Sequence, residues 1–272
     1  MTEETFHTPE PIELYVELGS GSLTTDARDT AQTEVSITGP RADEFDIEEH
    51  PGRIAIIAPK QRFGFGSDKH DVRVTLPTAS SLVVKAGSAD TVASGSYHAV
   101  RIRAGSGDVE IDTATGPAVI ESGSGDITCD RLESDLRVKS GSGDVELGEV
   151  LGTAGISTGS GDVALGRAVG KAVLKTGSGD LDVQRMESDL QLNSASGDVV
   201  VRHAVRGRLT AKSASGDVAI GIPHGTPVWT DISTVTGSVG SNLESTGEPA
   251  EGQDHVEVRA TTVSGDVALR QV

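Results

Sequence analysis

One spacing constrains this chain more than any other feature. Asp90, Asp108, Asp126, Asp144, Asp162, Asp180 and Asp198 fall 18 residues apart, most of them in a Gly-Ser-Gly-Asp setting. Asp217 follows after 19 residues, Ser238 then takes the slot in Thr-Gly-Ser-Val, and Asp266 closes the series in Val-Ser-Gly-Asp-Val. A fixed period of this length marks a repeat architecture, in which one supersecondary unit stacks on the next.

Within a repeat the apolar residues alternate. After Asp144, Val145 and Leu147 alternate with Glu146 and Gly148; after mid-coil Val150, Ala154, Ile156 and Thr158 alternate with Gly155 and Ser157. The next repeats place Val163, Leu165, Ala168, Ala172, Leu174 and Thr176, then Leu181, Val183, Met186, Leu190, Leu192 and Ser194, at the same offsets. Alternation with period two means strands with one buried face. Each repeat therefore predicts two short strands, with one turn at the aspartate and a second near Gly152, Gly170 or Ser188.

A single coil cannot bury its own apolar row, so coils must stack, and the predicted fold is an all-β, single-stranded β-solenoid. Equal offsets then line up as ladders such as Ile102, Ile120, Val138, Ile156, Leu174 and Leu192. Each buried aliphatic contributes roughly 1.5–3 kcal/mol before entropy. The glycines before the aspartates, Gly107, Gly125, Gly143, Gly161 and Gly179, are expected to supply positive φ. Asp and Ser side chains are expected to bond nearby amides. The hexapeptide from Arg131 to Leu136 recurs, with Met for Leu at its second position, from Arg185 to Leu190; duplication explains it, and a repeated binding patch is the alternative.

Four segments follow. Residues 1–10 read as a disordered tail. Residues 11–86 read as irregular coils, with strands at Ile12–Leu18, Glu34–Thr38, Arg53–Ala58, Asp71–Leu76 and Ser81–Lys85, a degenerate turn at Ser22, and a loop from Lys60 to His70. Residues 87–220 are the regular array. Residues 221–272 are irregular again, broken by Pro223, Gly225, Pro227, Gly247 and Pro249, with strand resuming at His255–Ala260 and Val267–Leu269. Atypical end coils protect exposed strand edges.

The pattern resembles the bacterial putative-adhesin β-strand-repeat family, a domain of unknown function. The likeness is carried by Asp71-Val72-Arg73-Val74-Thr75-Leu76-Pro77, then Leu82-Val83-Val84, then the Ser-Gly-Asp-Val turns through to Asp266, and it covers roughly residues 10–272. The resemblance implies a solenoid tied to the cell envelope and its stress responses, in a family often fused to membrane segments. Fold does not by itself assign function.

Charge and chemistry narrow the choice. With 41 acidic against 23 basic residues the net charge is -18, which disfavours nucleic acid and anionic membrane as partners. The opening MTEETFHTPEP has neither the basic nor the apolar part of a secretory signal, and no apolar run is long enough to span a bilayer, so a cytoplasmic location without direct membrane insertion is expected. Cys129 is alone, so no intramolecular disulfide forms, and it sits at the inward slot of Ile111 and Leu147, as a small core residue.

The seven histidines, at 7, 50, 70, 98, 203, 224 and 255, show no zinc spacing. A row of turn aspartates offers a calcium β-roll some of the six or more oxygens it needs, but at only one corner per coil. Glu110, Glu146 and Asp182 share an outward offset, the placement that paired-carboxylate sugar chemistry needs, but the coils offer it one ring, Tyr97, with Trp229 in the irregular region. The row Arg103, Glu121, Lys139, Ser157, Lys175, Asn193 and Lys212 is mildly basic and suits either solvent or an acidic partner. The reading that follows is a non-enzymatic scaffold without catalytic, cofactor or metal residues, binding an unknown protein or itself. An end-to-end polymer, a calcium roll and a carbohydrate-active enzyme are the alternatives.

Overall fold

The coil predicted by the alternation is the coil that forms. After Asp162, Val163–Ala168 is one strand and Ala172–Thr176 the next. Val163, Leu165, Ala168, Ala172 and Leu174 are all buried, while Ala164 and Lys175 face out. Each strand pairs in parallel with its counterpart one repeat later: Val163 with Leu181, Leu165 with Val183, Ile156 with Leu174 and Leu174 with Leu192. Parallel in-register stacking puts like apolar residues on like, so the core is a set of aliphatic columns.

The computed structural model describes residues 1–59, 68–244, 247 and 249–272, and the backbone divides into two compact units, Met1–Asp135 and Leu136–Val272. Most of the expected 60–70 loop lies outside the described residues; His70 itself begins a strand.

Unit 1 contains β1 (Thr2–His7), β2 (Glu13–Arg28), β3 (Gln32–Thr38), β4 (Asp46–His50), β5 (Arg53–Ile57), β6 (His70–Pro77) and β7 (Ser81–Tyr97). A 3-10 turn at Ala42–Glu44 precedes β4. The stack order differs from chain order. β2 is a whole coil held between two others: β5 and β6 pair with it on one side, and β7 on the other. The regular coils then continue through Val100–Ala104 and Val109–Ala114 to Ala118–Ser122 and Ile127–Leu132. Ser22 lies at the turn position, beside Asp71 and Asp90, as its sequence setting suggests.

The outer edge of this stack is closed by antiparallel strands. β4 runs antiparallel to β5, β3 to β6, and β1 to β3. The expected tail at residues 1–10 is thus corrected: Thr2–His7 is a strand. Its side chains are mostly polar and exposed, which hides it from a hydrophobic reading, and what recruits it is the free backbone edge of β3.

Unit 2 begins at Leu136–Ser140 and Val145–Val150 and stacks regularly to Gly207–Ser215 and Val218–Ile222. Its end is also out of chain order. Val256–Ser264 and Val267–Gln271 lie directly on that coil, and Val228–Thr234 with Val239–Ser241 stacks beyond them as the last. The turn series read along the sequence as Asp217, Ser238, Asp266 is therefore Asp217, Asp266, Ser238 in space.

Candidate functional site

The turn aspartates are the most repeated polar feature, and their carboxylates have a definite partner. In unit 1, Asp90 Oδ1 accepts the backbone N–H of Asp108 at 3.1 Å, and Asp108 Oδ1 that of Asp126 at 2.9 Å. In unit 2 the chain of bonds runs from Asp144 to Asp162, Asp180, Asp198, Asp217 and Asp266, and ends on Ser238, at 2.7–2.8 Å throughout. Each carboxylate thus clips its coil to the next, and the donated N–H offsets the repulsion between stacked like charges. At the end of the row the Ser238 amide holds the Asp266 carboxyl below its ordinary range.

The glycine before each aspartate has a different reason from the one its position suggests. Gly107, Gly125, Gly143, Gly161 and Gly179 are not at positive φ. A Cβ on Gly161 would stand 2.1 Å from the Gly143 carbonyl oxygen, and one on Gly125 2.0 Å from that of Gly107. Coils touch backbone to backbone at this corner, and only glycine lets them.

The corner has a further part that the sequence pattern did not single out. From Ser122 onward the last inward residue of the preceding strand is Ser or Thr, where the first coils have Ala86 and Ala104: Ser122, Thr158, Thr176, Ser194, Ser213 and Thr262 are buried. Their hydroxyls close the turn from inside. Ser122 and Thr158 accept the N–H of Gly125 and Gly161 at 3.1 Å, and Thr176 donates to the Gly161 carbonyl at 3.2 Å. The recurrence of a hydroxyl at an inward slot from Ser122 onward was the available signal. The turn serines such as Ser160 are exposed instead.

The other chemical candidates separate in space. Cys129 is 1% exposed, and burial pushes its thiol up to about 12, so it is an inert core group. Tyr97 is fully buried with its hydroxyl 2.6 Å from Thr25 Oγ1, and has no face to offer a sugar. Asp182 is bound by Arg202, with Nε at 3.2 Å from Oδ1. His70 is buried, its Nε2 2.8 Å from the Pro40 carbonyl oxygen and its ring edge-on to Phe45. A cleft of about 420 Å³ in unit 1 is rimmed by His7, Glu49, His50 and Arg53, but its one hydroxyl, Thr8, is bonded to Thr33 at 2.8 Å. Among the described residues no three His, Cys, Asp or Glu side chains converge on a metal position.

The second edge of unit 2 carries a charged brace. Arg167 grips Glu187 with Nε and Nη2 at 3.1 and 3.0 Å, and reaches Glu149 with Nη1 at 2.7 Å. Arg185 bonds the same Glu187, whose side chain is only 11% exposed, and these two guanidinium groups hold its carboxyl down at about 2. In unit 1 the equivalent Arg131 bonds Glu133 at 2.9 Å. The recurring hexapeptide therefore encodes the same internal Arg–Glu pair twice.

The sequence matches the Toastrack DUF4097 family over residues 12–270. The chain belongs to that family. Solved structures similar to this Toastrack domain include a putative lipid binding protein from Parabacteroides distasonis (16% identity, 99% of this chain and 96% of that one, TM-score 0.48). A putative adhesin from Parabacteroides merdae is similar at 12% identity over 99% and 95%, TM-score 0.44. Another from Bacteroides fragilis is similar at 13% over 99% and 96%, TM-score 0.40. No curated protein matches the Toastrack chain.

Proposed function

We propose that this Toastrack chain is a non-enzymatic, adhesin-like scaffold that binds other proteins along its ladder faces, in a cell-envelope-related process. The observation that carries the reading is the fate of the turn carboxylates. The turn carboxylate, the most repeated charged group, is committed to holding coils together, which leaves the outward rows as the repeated surface offered to partners. Solenoids commonly present extended surfaces of this kind. The acidic antiparallel strands β1 and β4 weigh against the polymer reading, because an end-to-end fibre needs both ends open. A cytoplasmic location belongs to the same proposal and is checked by fractionation of the producing cells.

Cross-linking in the producing cells, read by mass spectrometry, tests it. The expected result is one recurrent protein joined through outward-row lysines such as Lys175. Cross-links only between copies of the chain, or turnover of a substrate by the purified protein, would contradict it.

A further inference from the structure

One face of unit 2 breaks with the acidity of the rest. Its strands Leu136–Ser140, Ala154–Thr158, Ala172–Thr176, Leu190–Ser196 and Gly207–Ser215 lie side by side in parallel register. Two outward rows cross them. One reads Lys139, Ser157, Lys175, Asn193, Lys212, and the other Arg137, Gly155, Val173, Gln191, Thr210. Neither row holds an acid across these five coils, in a protein of net charge -18. Arg137, Lys139, Lys175 and Lys212 are exposed, and among the described residues none of them has an ion-pair partner. The neighbouring row behaves in the ordinary way: Arg208 there is bound to Glu257 at 2.7 Å.

The lysines are regularly placed. They occupy alternate coils, so with strands about 4.8 Å apart they recur roughly every 10 Å along the stack. A hydroxyl or an amide, Ser157 and Asn193, fills each coil between. The row beside them is uncharged beyond Arg137, and at Gly155 a Cβ would meet only the Leu136 carbonyl oxygen, at 3.9 Å. A complementary ligand is extended, lies close to the sheet, and alternates an anion with a neutral hydrogen-bonding unit at that repeat. Phosphates along one nucleic-acid strand come about every 3.4 Å, too closely for this row. Residues on one side of an extended peptide recur about every 7 Å.

We propose that this face binds an extended acidic glycan carrying one carboxylate per disaccharide. The three lysines take successive carboxylates, Arg137 broadens the charged end, and Ser157 and Asn193 meet the hydroxyls of the intervening neutral sugars. This face includes Lys175, one of the lysines offered to a protein partner, but the glycan titration is read on the purified chain and stands or falls separately from that reading.

Calorimetric titration of the full chain with hyaluronan decasaccharide tests it, with a neutral cello-oligosaccharide and a polyglutamate peptide as comparison probes. Saturable binding of hyaluronan that weakens with added salt is expected. Lys139→Gln/Lys175→Gln/Lys212→Gln should bind at least about tenfold more weakly, as three exposed ion pairs add up. Lys69→Gln/Arg28→Gln/Arg270→Gln, the same charge change elsewhere, should bind like the parent. Ser157→Lys/Lys175→Ser keeps the charge but shifts the register and should also lose binding. If the triple stripe variant fails to fold, Lys175→Gln alone reports the same direction. No saturable hyaluronan binding, a preference for polyglutamate, or unchanged binding by the stripe variants would overturn the proposal.

Discussion

At the scale of single residues, the turn shows how one short motif divides its work. In Thr158-Gly159-Ser160-Gly161-Asp162 the threonine hydroxyl seals the inside, the glycines allow backbone contact, and the aspartate clips its coil to the next. The two kinds of glycine contact can be told apart by experiment. Gly161→Ala drives a Cβ against a backbone carbonyl that cannot move away without parting the coils, and should cost about 1–3 kcal/mol or more in urea unfolding. Gly240→Ala, where nothing lies within 4 Å, should stay within about 0.5 kcal/mol of the parent. Equal losses at both sites would mean that glycine serves backbone flexibility rather than close approach. The Glu187 brace makes a prediction in pH. Its folded carboxyl is depressed to about 2 from an ordinary 4.5, so its stabilisation is complete above about pH 4.5 and lost as the pH falls through about 2. The melting-temperature gap between the parent and Glu187→Gln should therefore be full at pH 6 and shrink toward zero near pH 2. A gap that does not change with pH would place the effect in packing.

At the scale of elements, the coil was legible because its signal is repeated. Alternation within strands, a turn every 18 residues and aliphatic columns at fixed offsets all describe the same object, and the strands form where those columns require. Ile156 is 2% exposed between Val138 and Leu174, so Ile156→Asp puts a charge into a closed column and should abolish cooperative thermal unfolding. Ile156→Val should cost only about 0.5–1.5 kcal/mol. A near-normal melt for the aspartate variant would refute the register.

The ends of the stacks were less legible, for a physical reason. A Ser-Gly-Asp-Val turn fits onto any other, so sequence order does not dictate stacking order. Asp266 bonds Asp217 at a sequence separation of 49, and Ser238 comes last. β1 and β4 escaped notice for a related reason: edge strands are polar by necessity, and polarity reads as loop. The inward hydroxyls were hidden because the alternation pattern counts Thr158 and Thr176 with the buried residues without asking what their oxygens do.

At the scale of the whole molecule, charge and edges govern association. β4 carries Asp46, Glu48 and Glu49 and β1 carries Glu3 and Glu4, an acidic fringe on the open edge of unit 1. Such edges resist pairing with another chain. Light-scattering mass should not grow with concentration beyond two chains, and Asp46→Thr/Glu48→Thr/Glu49→Thr should raise it. Filaments from the unaltered protein would instead favour the polymer. The aspartate row acts in this fold as a clip between coils rather than as a ligand site. The most direct test is the melting temperature of the parent, Asp180→Asn and Asp180→Ala, each in millimolar calcium and in chelator. No calcium effect is expected, with a near-parental Asn variant because its amide oxygen still accepts the Asp198 N–H, and an Ala variant lower by about 1 kcal/mol, or roughly 2–4 °C. A parent that melts higher in calcium, with Asn as damaging as Ala, would contradict it.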